Sequence, residues 1–234
     1  CDQLGMLVWQ DMVNGGSAYK HWFVTYLATL MNWNHISFSD DEKHAGLLSR
    51  LHPEGKDEFR REITETIAFL YNHPSIVVWV PFNEGWGQFD AKQITRLVRK
   101  LDPTRLIDHA SGWHDQGVSD VRSLHVYFKP YRFRPDKKGR AVVLSEFGGY
   151  NLPVAGHTWN EKNFGYKGYQ TPEALGEAVR KLYETQIIPA RKAGLAADVY
   201  TQLSDVEDEV NGFVTYDRRV EKLPEALMRA IARE

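Results

Sequence analysis

Cysteine is nearly absent from the sequence, with one residue among 234. A single cysteine excludes an intrachain disulfide framework and any zinc site built from several cysteines. Charge of one sign is also missing, because 29 basic and 31 acidic residues leave a formal net charge of −2. This balance argues against a nucleic-acid partner, which requires a basic surface. No apolar run approaches the roughly 20 residues of a membrane span, so we expect no membrane partner either.

Aromatic residues are the one clear excess, with 7 Trp, 11 Tyr and 11 Phe. Several of them fall in the stretch 148–170, which we interpret as one long loop. Loops of this length in a compact domain are usually functional. The aromatic residues of this loop are Tyr150, Trp159, Phe164, Tyr166 and Tyr169.

Short apolar runs alternate with helical patterns along the chain. Each run is rich in Val, Ile or Leu and does not alternate cleanly, which is typical of a strand buried on both faces. Strands that alternate with helices predict parallel βα units, hence an α/β fold, and we expect one domain over residues 1–234. The predicted strands lie at 6–9, 76–80, 106–107, 124–126, 141–144 and 195–200, and the apolar stripes of the helices at 59–70, 94–101, 175–183 and 224–232.

Two glutamates stand out because each follows a predicted buried strand and precedes a glycine-containing loop. Glu84 comes after the strand at 76–80, and Glu146 after the strand at 141–144. If the strands are parallel, both carboxylates emerge at the carboxyl-terminal face, where the active sites of parallel α/β barrels lie. A pair of carboxylates is what glycoside hydrolysis requires, and their separation decides between retention and inversion. The alternative is that either glutamate is an exposed or ion-paired residue at a strand end.

Four stretches resemble glycoside hydrolase family 2, which holds β-galactosidases, β-glucuronidases and β-mannosidases. Residues 73–84 (HPSIVVWVPFNE) are similar to the acid/base strand of that family. Residues 2–11 resemble its third strand, 144–149 (LSEFGG) the seventh and 200–207 the eighth. The resemblance implies a (β/α)8 TIM barrel of which this chain holds strands 3 to 8. We therefore expect a chain truncated at its N-terminus, completed by the missing N-terminal segment or by a homo-oligomer.

The resemblance implies a role for each matching residue. Glu84 would be the general acid/base and Glu146 the nucleophile of a retaining reaction on a terminal β-linked sugar, with no cofactor and no metal. Asn83 would bind the 2-hydroxyl of the sugar. Residues Trp79, Phe82 and Trp86 are expected to give Glu84 a poorly solvated pocket, whereas Glu146 needs hydrogen-bond donors nearby.

Further candidates come from the ends of the other strands. His125 and Tyr127 are two apart and so point the same way, and similar tyrosines in the family hold the nucleophile. Tyr200 takes the position at which the eighth strand usually presents a tryptophan as a sugar platform. The alternative for each candidate is that it is a packing or capping residue. The predicted carbohydrate-binding residues are Asn83, Asp11, Trp86, Trp113, His114, His125, Tyr127 and Tyr200, with Trp9 as a similar candidate.

Two other functions stay open. The chain could be a non-catalytic carbohydrate-binding remnant that keeps the aromatic rim, or a metal-dependent hydrolase on the same barrel. The polar cluster at 108–115 fits no standard metal-ligand spacing, which argues against the second. The charged run at 40–43 (DDEK) is interpreted as a solvated loop.

Overall fold

The structure is a computed structural model that describes residues 1–20, 22–23, 30–31, 36–37 and 39–233. The chain divides into two units, residues 1–124 and 125–234. Among the described helices, none combines the length and the hydropathy that a membrane-spanning segment needs.

The first unit is built on a parallel sheet of three strands in the order β1-β2-β3. The strands are β1 (Val8–Asp11), β2 (Ile76–Val80) and β3 (Leu106–Ile107). Helix α1 (Pro53–Leu70) precedes β2, helix α2 (Ala91–Leu101) lies between β2 and β3, and the two helices pack against each other. The central strand β2 is almost fully buried, as its unbroken apolar sequence predicts. The parallel βα arrangement predicted for this part of the chain is confirmed.

The core of the first unit contains two aromatic residues that we expected beside Glu84. The side chains of Trp79 and Phe82 are 0% exposed and lie in the apolar cluster formed with α1 and α2. Phe82 stacks on Phe59 of α1 with 4.9 Å between ring centroids. The expectation that Trp79 and Phe82 enclose Glu84 is therefore wrong, because burial against the helices takes precedence over exposure at the strand end.

A buried carboxylate fastens the end of α2 to β2. Asp102 accepts hydrogen bonds from the indole Nε1 of Trp79 at 2.9 Å and from Nη1 of Arg105 at 2.6 Å. Thr104 adds two more, through its backbone N–H and its hydroxyl. Burial raises the pKa of Asp102, but these hydrogen bonds outweigh burial and hold the pKa well below its usual value.

We predict that Asp102→Asn lowers the free energy of unfolding by about 3–5 kcal/mol at pH 7, because Arg105 is left nearly buried without its counter-charge. Since the folded-state pKa is lowered, the contribution of Asp102 is present above the unfolded pKa of about 4 and is lost as pH falls below it. Urea unfolding at several pH values measures both effects. Asp57→Asn, at an exposed ion pair with Arg60, is the matched control and should cost no more than about 1 kcal/mol. Equal losses in the two variants would contradict the prediction.

The other three-stranded sheet has the order β4-β5-β8, and its strands β5 and β8 lie in the second unit. Its strands are β4 (Val121–Val126), in which the boundary between the units falls, β5 (Ala141–Gly148) and β8 (Ala197–Thr201). Strands β5 and β8 are parallel, with Phe147 opposite Tyr200. Within the loop predicted at 148–170, two short strands, β6 (Tyr150–Asn151) and β7 (Lys167–Gly168), pair with each other.

The apolar stripes predicted at 175–183 and 224–232 fall on helices of the second unit, apart from residue 224. Helix α3 (Pro172–Leu182) is capped by Thr171, whose hydroxyl accepts from Ala174 N at 3.2 Å. It continues through a π-helical turn (Tyr183–Ile187) into α4 (Ile188–Ala193), a continuation that the apolar stripe did not predict. The last helix is α5 (Glu225–Arg233).

The strands differ from the predicted ones at their ends and in burial. Strand β1 begins at Val8, and Met6 and Leu7 before it are exposed, because pairing with β2 rather than apolar character sets the register. Strand β5 extends to Gly148, so Glu146 lies within the strand and not after it. Strands β1 and β8 are half-buried rather than buried on both faces, because each is an outer strand of its described sheet.

The interpretation of 40–43 as a solvated loop is wrong for Asp40. This residue is 6% exposed, and its Oδ2 accepts a hydrogen bond from the backbone N–H of Ala91 at 3.0 Å. The first N–H groups of a helix have no partner within the helix. The side chain of the cap residue Asp90 makes no capping hydrogen bond, and the carboxylate of Asp40 takes that role for the N–H of Ala91.

Candidate active site

Glu84 lies on a tight turn that continues the sheet of the first unit. The backbone of Phe82 accepts from Ser111 N at 2.8 Å, and Glu84 N donates to the carbonyl of Ser111 at 2.9 Å. Beyond these contacts the chain turns sharply, because Glu84 has φ 52° and Gly85 has φ 74°. A left-handed conformation is unfavourable for a residue with a side chain and persists only where its surroundings enforce it. Such strain is concentrated at functional sites.

A small, mostly apolar pocket lies beside Glu84. The ring of Trp86 meets Tyr19 edge to face, with 4.4 Å between centroids. His114 is buried, and burial lowers its pKa to about 4, so its imidazole is uncharged at neutral pH. A Cβ atom at Gly85 would lie 2.6 Å from Cδ2 of His114, so only glycine allows this approach. The residues that line the pocket are Tyr19, Phe23, Leu47, Leu48, Glu84, Gly85, Trp86 and His114.

The other candidates of the first unit lie at the carboxyl ends of its strands. Asn83 is half-buried and forms a bridge with Ser111 beyond the end of β3. Asp11 is exposed at the end of β1, opposite Val80, and Trp9, two residues earlier in the strand, is half-buried. Trp113 is half-buried, and its indole N–H is buried without a partner among the described residues.

Glu146 of the second unit is held by hydrogen-bond donors. The hydroxyl of Tyr127 donates to its Oε2 at 2.5 Å, and Nδ1 of His125 lies 3.3 Å from the same oxygen. The hydroxyls of Tyr127 and Thr201 are 3.1 Å apart. The Glu146 side chain is 25% exposed, so its carboxylate is accessible. Donors to a carboxylate favour its ionised form, which a nucleophile or a base requires.

The environment of Tyr127 keeps its hydroxyl protonated. Burial raises the pKa of Tyr127 far above its usual value, and the charge of Glu146 and the neighbouring Tyr166 raise it further. The ring of Tyr166 stacks on that of Tyr127, with 3.8 Å between centroids and 1° between planes. Gly149 allows this stack, because a Cβ there would lie 2.2 Å from the Tyr166 ring. Tyr127 can therefore act as a fixed hydrogen-bond donor to Glu146 over the whole neutral range.

Tyr200 lies in a packed aromatic group. Its ring stacks on Phe213, with 4.2 Å between centroids, and meets Phe147 edge to face at 5.5 Å. Its hydroxyl accepts a hydrogen bond from Tyr150 N at 3.3 Å, and burial raises its pKa. The peptide bond between Thr201 and Gln202 is cis.

Sequence reasoning did not single out Thr201 or Tyr166 as site residues. Thr201 ends β8, next to the candidate Tyr200, and a hydroxyl at a strand end is too common a signal. The contact of Tyr166 with Tyr127 joins residues 39 positions apart, which no local pattern encodes. The adjacent glycines Gly148 and Gly149 were the available hint, because paired glycines often mark a close approach of side chains to backbone.

A family model for "Glycosyl hydrolases family 2, TIM barrel domain" matches residues 28–221. The chain belongs to glycoside hydrolase family 2. The match contains both glutamates singled out above and three of the four stretches that resemble the family, whereas residues 2–11 lie outside it. The resemblance is confirmed at the level of the family. The fold class is accordingly that of the family 2 TIM-barrel domain. Within the described residues its strands form two three-stranded sheets and one two-stranded sheet.

Two individual proteins are similar to part of this chain. It is 30% identical to β-mannosidase B of Thermothelomyces thermophilus over 95 residues, which cover 41% of this chain and 8% of that protein. It is 26% identical to the β-galactosidase of Priestia megaterium over 129 residues, or 53% of this chain and 12% of the relative. The matched parts thus span only a small share of these relatives.

Solved structures support the same fold. A β-galacturonidase of Eisenbergiella tayi, bound to galacturonate, aligns with a TM-score of 0.62 at 18% identity and covers 100% of this chain and 42% of that one. The β-D-glucuronidase of Dictyoglomus thermophilum aligns with a TM-score of 0.53 at 16% identity, over 80% of this chain and 37% of that one. At these identities the likeness concerns the fold alone.

Proposed function

We propose that this chain carries the catalytic glutamates of a retaining β-glycosidase that removes terminal β-linked sugars. Membership of family 2 supports glycoside hydrolysis. The observation that carries the proposal is the carboxylate of Glu146, which is accessible and receives the Tyr127 hydroxyl at 2.5 Å. A carboxylate that is fixed, ionised and open to a ligand is suited to attack a carbon centre.

The proposed reaction has two steps. Glu84 donates its proton to the glycosidic oxygen while Glu146 attacks the anomeric carbon, so that the bond to the leaving group breaks and an ester to Glu146 forms. Glu84 then removes a proton from water, the water oxygen attacks the same carbon, and the ester bond breaks. Each step inverts the configuration at the anomeric carbon, so the two steps together retain it. This route requires carboxyl groups about 5–5.5 Å apart. Neither step uses a cofactor or a metal.

The surrounding side chains have supporting roles in this proposal. Tyr127 and His125 orient Glu146, and Asn83 binds the 2-hydroxyl of the sugar. Trp86 and the uncharged His114 line the mostly apolar pocket beside Glu84. Asp11, Trp113 and Tyr200 remain candidates for contacts to carbohydrate. The relatives act on mannosides, galactosides or glucuronides by their names, so we propose the substrate as a β-glycoside without choosing the sugar.

Release of nitrophenol from a panel of nitrophenyl β-glycosides tests the function. We expect turnover of at least one sugar, and proton NMR of the first product should show the β-anomer before mutarotation. Formation of the α-anomer would exclude the retaining mechanism. Binding of sugars without turnover by any panel member would instead favour the carbohydrate-binding remnant.

Tyr127→Phe tests the proposed donor to Glu146. We expect kcat/KM to fall about 10- to 100-fold, because one hydrogen bond to a charged group contributes about 1.5–3 kcal/mol. The matched control is Tyr131→Phe, since the buried hydroxyl of Tyr131 has no hydrogen-bond partner among the described residues. That control should keep its activity. Similar losses in both variants would mean that any buried hydroxyl matters equally, contrary to a specific role for Tyr127.

A further inference from the structure

Arg50 is a buried cation in the first unit, only 8% exposed. Its guanidinium lies over the rings of Phe59 and Phe89, 5.3 and 5.4 Å from their centroids. Within the described ranges it forms no ion pair with a carboxylate, and burial lowers its pKa. Burying a charge without a directly paired carboxylate is unfavourable, so the hydrogen bonds that Arg50 makes must stabilise it.

Those hydrogen bonds run to the turn that bears Glu84. Nε of Arg50 donates to the carbonyl of Gly87 at 2.9 Å, and Nη1 donates to the carbonyl of Gly55 at 3.1 Å. Gly87 comes three residues after Glu84 and has φ 61°. A Cβ atom there would lie 2.1 Å from the carbonyl oxygen of Gly15 and 2.7 Å from Nη2 of Arg50. The turn is thus tied to the first turn of α1 and packed without spare room.

Asp40 holds the other end of the same turn. Its Oδ2 accepts from Nε2 of Gln88 at 2.9 Å as well as from Ala91 N at 3.0 Å. Gln88 is 0% exposed, and its Nε2 also donates to the carbonyl of His114 at 3.1 Å. The segment 40–50 therefore contacts the turn at Gly87 through Arg50 and at Gln88 through Asp40.

We infer that Arg50 and Asp40 are positioning residues for Glu84, which they hold in place through the backbone of Gly87 and the side chain of Gln88. Glu84 has φ 52°, and such a conformation persists only where the surroundings over-determine it. Two buried side chains fastened on the following residues supply that constraint. The positioning role rests on the proposed function of Glu84 as the general acid. The clamp, by which we mean the contacts of Arg50 with Gly87 and of Asp40 with Gln88, does not depend on that proposal.

Hydrogen exchange tests the clamp without any need for activity. In Arg50→Met, which keeps the apolar stem, we expect the amides of residues 84–88 to exchange at least about tenfold faster, with β2 and α1 unchanged. Arg60→Met is the matched control, because Arg60 also lies over the Phe89 ring, at 5.2 Å, but is far more exposed and pairs with Asp57. Unchanged exchange at 84–88, or faster exchange throughout the unit, would overturn the inference.

Leaving-group dependence tests the positioning role. A displaced general acid matters most where the leaving group needs a proton, so Arg50→Met should lose at least tenfold more kcat/KM on phenyl than on dinitrophenyl glycosides. Arg50→Lys keeps the charge but cannot donate to both carbonyls as the guanidinium does, so its loss of kcat/KM should lie between those of the parent and Arg50→Met. Asp40→Ala should repeat the pattern, which keeps the test available if Arg50→Met fails to fold. Equal losses on both substrates would refute positioning of Glu84. A parent chain that hydrolyses no glycoside would instead count against the proposed function, and exchange alone would decide the clamp.

Discussion

Glu146→Gln is expected to reduce kcat/KM at least about a thousandfold on every glycoside that the parent hydrolyses. The amide is nearly isosteric and can still accept the Tyr127 hydroxyl, so the fold and sugar binding should be kept. It is a poor nucleophile, and the route through a covalent intermediate is closed. A loss of this size corresponds to about 4 kcal/mol of transition-state stabilisation. Steady-state kinetics together with the unfolding midpoint separate chemistry from stability.

The control for this variant is Glu161→Gln, an exposed glutamate in the loop between β6 and β7. It makes the same chemical change away from the donors of Glu146 and should keep parental rates. A 2-deoxy-2-fluoro glycoside with a good leaving group adds a direct readout, since slow breakdown of the ester should leave the sugar attached to Glu146 in a peptide map. Label on another carboxylate, or substantial activity in Glu146→Gln, would refute the assignment.

The strands and helices were the predictable part of the fold. The run 76–80 (IVVWV) predicts a buried strand, and the apolar stripe at 175–183 predicts a helix, because both patterns depend on neighbouring residues. The ends of strands were less predictable. Strand β5 extends past Leu144 to Gly148 because its partner β8 offers backbone groups as far as Thr201.

Polar residues with distant partners could not be placed from the sequence. Asp40 lies in a charged run that looks solvated, yet its carboxylate is buried because α2 presents unpaired N–H groups to it. Arg50 is buried because the carbonyl of Gly87 and two phenyl rings receive its guanidinium. Such burial depends on the partner and not on the residue, so composition and periodicity contain no signal for it.

The candidate site divides in the same way. Strand-end positions and family resemblance singled out Glu84, Glu146, His125 and Tyr127, and the structure brings the last two to Glu146. The stack of Tyr166 on Tyr127 could not be predicted, because it joins two loops that are distant in sequence. Trp79 was misplaced because the unbroken apolar run of β2 does not show which side chains face the covering helices.

Glu84→Ala should separate the acid role from the base role of the same residue. For poor leaving groups we expect kcat/KM to fall about 10²–10⁴-fold, the usual contribution of general acid–base catalysis. For a dinitrophenyl glycoside, whose leaving group needs no proton, formation of the covalent intermediate should be nearly as fast as in the parent. Its hydrolysis should then be slow, because no base activates water, and a burst of dinitrophenol should precede a slow steady state.

Azide provides the decisive comparison for Glu84→Ala. A small anion that needs no deprotonation can attack the anomeric carbon in the space left by the carboxylate, so azide should accelerate the steady state and yield a β-glycosyl azide. Glu146→Gln forms no such intermediate and should give no β-azide, which makes it the control for the same reagent. Uniform losses across leaving groups, without a burst and without rescue, would assign Glu84 a structural role at its strained turn. The acid/base would then have to be sought elsewhere in the chain.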